Sequence, residues 1–223
     1  MKTPRWTRPT VDMAMTLVYL LQMAPSRLGG VYHEFAGIGF VALFALHHLL
    51  NWGWLGRASK ARGLVPRVNA VLDVVLTACV VGIAVTGTLM SKHALVALSQ
   101  PSLAHLARPL HACLVYLGLI VVSLHVGMHL PVVQGYARQA TSRKKAAWPQ
   151  WLRVLVMVAS FVVGVIAFGR LNVATKLTMG MSFPDGVTPL PLLLAWHLAL
   201  AAPFVTCGSL LQQALRRRPH SKC

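Results

Sequence analysis

The stretch from Leu110 to Leu130 reads LHACLVYLGLIVVSLHVGMHL. It is long and apolar enough to cross a bilayer, yet it carries His111, His125 and His129. An ionisable ring inside a membrane span is costly, and by default it marks a function. An earlier apolar segment, HEFAGIGFVALFALHHLL, carries His33 and His47. His33 and His47 are fourteen residues apart, and so are His111 and His125. One histidine spacing repeated on two apolar segments constrains the fold, because it asks the two segments to lie side by side.

Fourteen residues turn a helix through about 1400°, some 40° short of four turns, and raise it by about 21 Å. Each pair therefore lies near one helix face, with one histidine toward each end of the span. Between helices crossing at about 20° the remaining drift almost vanishes. Two such helices running the same way set His33 level with His111 and His47 level with His125. Two facing imidazoles are the axial ligand set of a bis-histidine haem, one near each membrane face. The competing explanations are hydrogen bonds from single histidines to neighbouring helices and a zinc or copper site serving transport.

Composition sets the class. The chain has 223 residues, 56% of them hydrophobic and only 11% charged, with a mean hydropathy of +0.63. These values describe one polytopic membrane domain spanning residues 1–223. Apolar segments near 11–24, 30–50, 68–90, 109–130, 152–171 and 187–211 predict an all-α, six-transmembrane-helix bundle, with the haems between the second and fourth helices. The first segment is short and ends at Pro25, Gly29 and Gly30; the LQMA before the break makes a poor cleavage site, so it is read as a helix and not as a signal peptide. The net charge of +17 does not point to nucleic acid, because the basic residues fall in short connections between apolar segments.

Those connections alternate, as the positive-inside rule requires. Lys2, Arg5, Arg8, Arg57, Lys60, Arg62, Arg67, Arg138, Arg143, Lys144, Lys145, Arg153, Arg216, Arg217, Arg218 and Lys222 fall on one side. Arg27, Lys92, Arg108, Arg170 and Lys176 fall on the other. Sixteen against five predicts both termini in the cytoplasm and makes the second and fourth helices parallel, as the histidine spacing needs. Trp52, Trp54, Trp148 and Trp151 gather at the cytoplasmic ends like an aromatic belt. Cys79, Cys113 and Cys207 lie in apolar segments as packing residues, and Cys223 closes the chain. No C-x-x-C-H is present, so any haem is expected to be held without covalent attachment.

Other polar residues are secondary candidates. His129 lies one turn beyond His125 and rivals it as a ligand, although its eighteen residues from His111 do not match the other pair. His48 is about 100° off the face of His47. Either could instead hold a propionate, bind a quinone or meet an interface. Arg108, three residues before His111, suits a propionate carboxylate, and Lys92 is a similar candidate. Glu34 is placed to take a proton from a quinol, to orient a ligand or to snorkel. His93 and His105 belong to the outer loop. His197 sits inside the sixth segment without a partner at a matching spacing. Gly37, Gly39 and Gly118 allow close approach of a macrocycle or of another helix.

These residues resemble the di-haem membrane cytochrome b superfamily, which includes the ferric-reductase and NADPH-oxidase transmembrane domains. They are most similar to a small, poorly characterised family of bacterial membrane cytochromes b. The similarity rests on His33-Glu34, on His47 or His48 before Asn51-Trp52, on Thr86-Gly87 to Ser91, and on His125-Val-Gly-Met-His129. It covers residues 11–130; the last two helices carry no motif of the family. The resemblance implies two non-covalent haem b groups and membrane electron transfer. It implies an inner-membrane, multi-pass subunit of an oxidoreductase in a bacterium, in contact with lipid, with quinone or quinol and with a periplasmic or membrane redox protein. No flavin or nicotinamide domain follows the sixth segment, so electrons from NADPH are not expected to enter directly. A histidine-based metal transporter, a self-sufficient quinol-dependent metal reductase and a structural assembly subunit are the alternative readings.

Overall fold

A computed structural model describes residues 6–54, 56, 60, 63–141, 149–180 and 185–217. Lys2, Arg5, Arg57, Arg62, Arg143, Lys144, Lys145, Arg218 and Lys222 of the charge count lie outside these residues, as do Trp148 and Cys223. The described secondary structure is helical throughout: α1 Thr7–Gln22, α2 Pro25–Leu28, α3 Gly30–Leu50, α4 Leu64–Leu89, α5 Ala104–Met128, α6 Leu130–Thr141, α7 Gln150–Arg170, α8 Val173–Leu177 and α9 Leu190–Arg217. Two short 3₁₀ turns, Val96–Leu98 and Pro101–Leu103, lead into α5.

Proline and glycine punctuate the chain. Pro25 cannot extend α1 and instead opens α2 at its first position, where its missing N–H is no loss. Gly29, at φ 87°, turns the chain straight into α3, and a side chain there would be strained. Pro131 follows the end of α5 and opens α6 after a break at His129.

Five helices, α3, α4, α5, α7 and α9, are long and apolar enough to cross a membrane. α1 is not among them: its sixteen residues rise about 24 Å, short of a hydrocarbon core of about 30 Å. α3 coincides with its apolar segment at both ends and α7 lies within two residues of its own, whereas α4, α5 and α9 are displaced by several residues at one end. α4 begins at Leu64 and α5 at Ala104, because a helix continues through polar residues at its ends while hydropathy counts only the apolar middle. α6 was not foreseen. It is a separate, exposed amphipathic helix in a stretch read from its charges as a loop.

α5 is the central helix, packed along both α4 and α9, and α9 packs in turn on α7. Glycines permit the tightest of these contacts. A side chain at Gly127 on α5 would collide with the Val205 carbonyl of α9 and come within 2.9 Å of the Gly208 Cα. The core lies where α5, α7, α8 and α9 meet, around Tyr116, Leu119, Ala167, Leu171, Val173, Leu193 and Leu200.

α1 and α3 form an antiparallel hairpin. Gln22 lies beside His33, donating to its carbonyl, and Asp12 lies beside His47. α3 packs chiefly on α1 and only sparsely on α4, and Phe40 is its one buried residue. A gap therefore separates α3 from α5, and side chains bridge it. The bundle end carrying His33 and His111 is called upper below, and the end carrying His47 and His125 lower.

Candidate functional site

At the upper end the rings of His33 and His111 face each other across the gap, their centres 6.1 Å apart and their planes at 74°. Nδ1 of His111 is 2.9 Å from Oγ1 of Thr86 on α4. The Thr86 hydroxyl donates its own proton to the Gly82 carbonyl at 2.6 Å, so toward His111 it acts as an acceptor. The proton of the neutral ring is thereby held on Nδ1, and Nε2 keeps its lone pair. Nδ1 of His33 is buried without a hydrogen-bond partner. Such an atom costs about 1–3 kcal/mol unless something satisfies it.

Glu34, next to His33, fastens this end. Its carboxylate accepts the backbone N–H groups of Lys92, His93 and Ala94 at 2.8–2.9 Å and the Ser91 hydroxyl at 2.7 Å. A carboxylate that accepts four donors from one loop is a structural clasp. The two halves of the Thr86-Gly87 to Ser91 stretch thus hold the two upper elements, Thr86 the ring of His111 and Ser91 the carboxylate beside His33.

At the lower end the pattern of a carboxylate behind a histidine repeats twice. Oδ1 of Asp12 on α1 lies 2.6 Å from Nδ1 of His47. Oδ1 of Asp73 on α4 lies 2.9 Å from Nδ1 of His125, at an angle outside a formed hydrogen bond. Asp73 is also within electrostatic reach of His48 and His129. α3 and α5 therefore bring their second histidines to the same end and run in the same direction. Among the described residues no ring contact joins His47 to His125, and each instead faces its own carboxylate. His129 stacks beside His125, with centres 4.7 Å apart. His48 packs between Phe44 and Trp54, with Nε2 buried and unpartnered.

Arg108 is exposed at the upper end of α5, without an ion pair among the described residues. His105 is exposed, its Nδ1 2.9 Å from the Ser102 carbonyl. His93 contributes its backbone N–H to the Glu34 clasp. His197 does have a partner, on another face of α5. Its Nδ1 donates to the Leu193 carbonyl, its Nε2 is 3.1 Å from the Tyr116 hydroxyl, and Lys176 Nζ donates to that hydroxyl at 2.9 Å and to the Leu171 carbonyl at 2.6 Å. Burial pushes the Lys176 ammonium down to about 8, against the pull of Asp185. This network clamps α5, α8 and α9 together, apart from the histidine quartet. Thr86, Asp12, Asp73, Tyr116 and Lys176 were not recognised as partners in the sequence. Only the i, i+4 step from Asn69 to Asp73, both polar on an apolar helix, hinted at a polar face on α4.

A metal between two imidazoles lies about 2 Å from each nitrogen, so the nitrogens are about 4 Å apart and the ring centres lie farther back on either side. The 6.1 Å between the two ring centres is a spacing of that size. Among the described residues no group of three or more His, Cys, Asp or Glu is placed to hold a metal ion. A haem iron asks only two ligands of the protein. No protein-family model, curated protein or solved structure matches the chain.

Proposed function

We propose that this chain is a di-haem b-type cytochrome, the membrane subunit of an oxidoreductase in a bacterial inner membrane. In this reading α1 completes a six-helix bundle, and both termini are cytoplasmic. His33 and His111 would hold the upper, periplasmic haem, and His47 and His125 the lower one. Bound there, the groups would supply one-electron chemistry between a quinone pool and a redox partner.

The observation that carries the reading is the facing of His33 and His111 on parallel helices, with the Nδ1 proton of His111 committed to Thr86. A ring fixed through one nitrogen by a hydrogen bond is how proteins orient a metal-ligating histidine. Asp12 repeats the arrangement at the lower end by a hydrogen bond to His47, and Asp73 lies 2.9 Å from His125 Nδ1. The protein's own contribution is to hold these rings, to bury them in an apolar surround and to offer cations such as Arg108 to propionates; such features tune a haem potential.

The test is a reduced-minus-oxidised spectrum of the purified chain with haem quantified per polypeptide. Two non-covalent haems are expected, and His111→Ala should remove one signal while sparing the other. Retention of both would reject the assignment. Metal without visible absorbance would favour a transporter instead.

A further inference from the structure

Halfway between the two histidine levels the gap is crossed by a tyrosine from α1. The Tyr19 hydroxyl donates to the Val115 carbonyl of α5 at 2.7 Å, and its ring packs on Phe40 with centres 5.5 Å apart. Phe40 lies seven residues from both His33 and His47. Gly118 lies seven residues from both His111 and His125, and a Cβ there would come within 2.7 Å of the Tyr19 oxygen. The phenol thus rests against bare backbone at mid-height, over the single buried side chain of α3. Cys79 of α4 lies behind it, 3.8 Å from the same Gly118 position.

We infer that Tyr19 and Phe40 divide the gap into an upper and a lower compartment, and that Tyr19 is the positioning residue that sets α3 against α5 for both histidine levels at once. The inference rests on the cytochrome reading above for what fills the compartments. The partition follows from the helices alone. A single polar tie at the midpoint, with histidines at equal distances above and below, transmits any change in helix separation to both ends.

The experiment uses the full chain, purified with haem. Tyr19→Phe removes the tie and keeps the ring; Gly118→Ala pushes the phenol away. Each is expected to retain two haems while shifting both low-spin ferric signals in electron paramagnetic resonance, and the double variant should shift them no further than either single change. Shifts confined to one haem, or none in Tyr19→Phe, would overturn the positioning role. Alkylation with a membrane-permeant maleimide, mapped by mass spectrometry, reads the partition without haem. Cys79 is expected to be protected in the wild type and to react in Tyr19→Ala. Equal labelling of Cys79 in the two would overturn the partition. A wild-type chain without haem would sink the cytochrome reading and the positioning role with it, while the thiol readout still decides whether the gap is divided.

Discussion

A histidine that binds through one ring nitrogen depends on what holds the other. For His111 that is Thr86, whose hydroxyl is made an acceptor by its own bond to the Gly82 carbonyl. Thr86→Val keeps the shape and removes the acceptor, so both ring tautomers become available to His111. Outer partners of this kind are worth about 10–100-fold in metal affinity, and under the proposed cytochrome reading a loss of that order is expected at the upper haem alone. Haem titration of the apoprotein, followed spectrally at each site, measures it; equal affinity in variant and wild type would remove Thr86 from the site. The histidines themselves were legible in the sequence, because a polar ring on an apolar helix stands out and fourteen residues is a helical period. Thr86, Asp12 and Asp73 were not. Short polar residues are common in spans, and nothing local says which carbonyl or ring they meet.

At the scale of elements, apolarity foretold α3, α4, α5, α7 and α9, with the ends of α3 matched and those of α4, α5 and α9 displaced. The Gly127 of the His125–His129 motif looked like part of a ligand sequence. Its observed work is to let α9 approach, since Gly127 and Gly208 meet backbone to backbone. Gly127→Ala places a methyl against the Val205 carbonyl, and overpacking of this kind costs about 1–3 kcal/mol or more. A lower thermal midpoint in detergent is expected, with the helix content unchanged in the folded state. A midpoint equal to the wild type would show that α5 and α9 part without cost. α1 illustrates the opposite error of scale. Its hydropathy and length are marginal, yet it supplies Asp12, Tyr19 and Gln22 to three heights of the gap. That role is set by its neighbours and not by its own composition.

For the molecule as a whole, the α1–α3 hairpin is fastened to the remaining helices by apolar packing of Met23 and Ala24 in the core and by polar ties. Ser26 and Arg27 donate to the Asp185 and Thr188 carbonyls, Glu34 clasps the loop after α4, and Tyr19 reaches α5. On the other side Lys176 ties α8 to α5. Its folded-state value of about 8 lies below that of an ordinary lysine, so the charged form is the one penalised by folding. Between about pH 8 and the ordinary lysine range the unfolded chain holds a proton that the folded chain has released, and stability rises with pH there. Lys176→Met should lose this rise. The difference between wild-type and variant thermal midpoints, followed from neutral pH to about pH 10, should grow in favour of the wild type across that window. A constant difference would show that Lys176 is not penalised.

The sequence by itself determined that the chain is helical with five segments long and apolar enough to cross a membrane, and that two of them carry histidines fourteen residues apart. These follow from burial of apolar side chains and from helical period, both local properties. Only the tertiary structure decided that His33 meets His111 while His47 and His125 each turn to a carboxylate, that His197 belongs to a clamp with Tyr116 and Lys176, and that Tyr19 closes the middle of the gap. Those outcomes depend on how far apart the helices stand and how each is rotated. Residues far apart in the chain set both: the glycines that bring α5 onto α9, and the polar ties that fasten α1 and α3 to α5 and to the loop after α4.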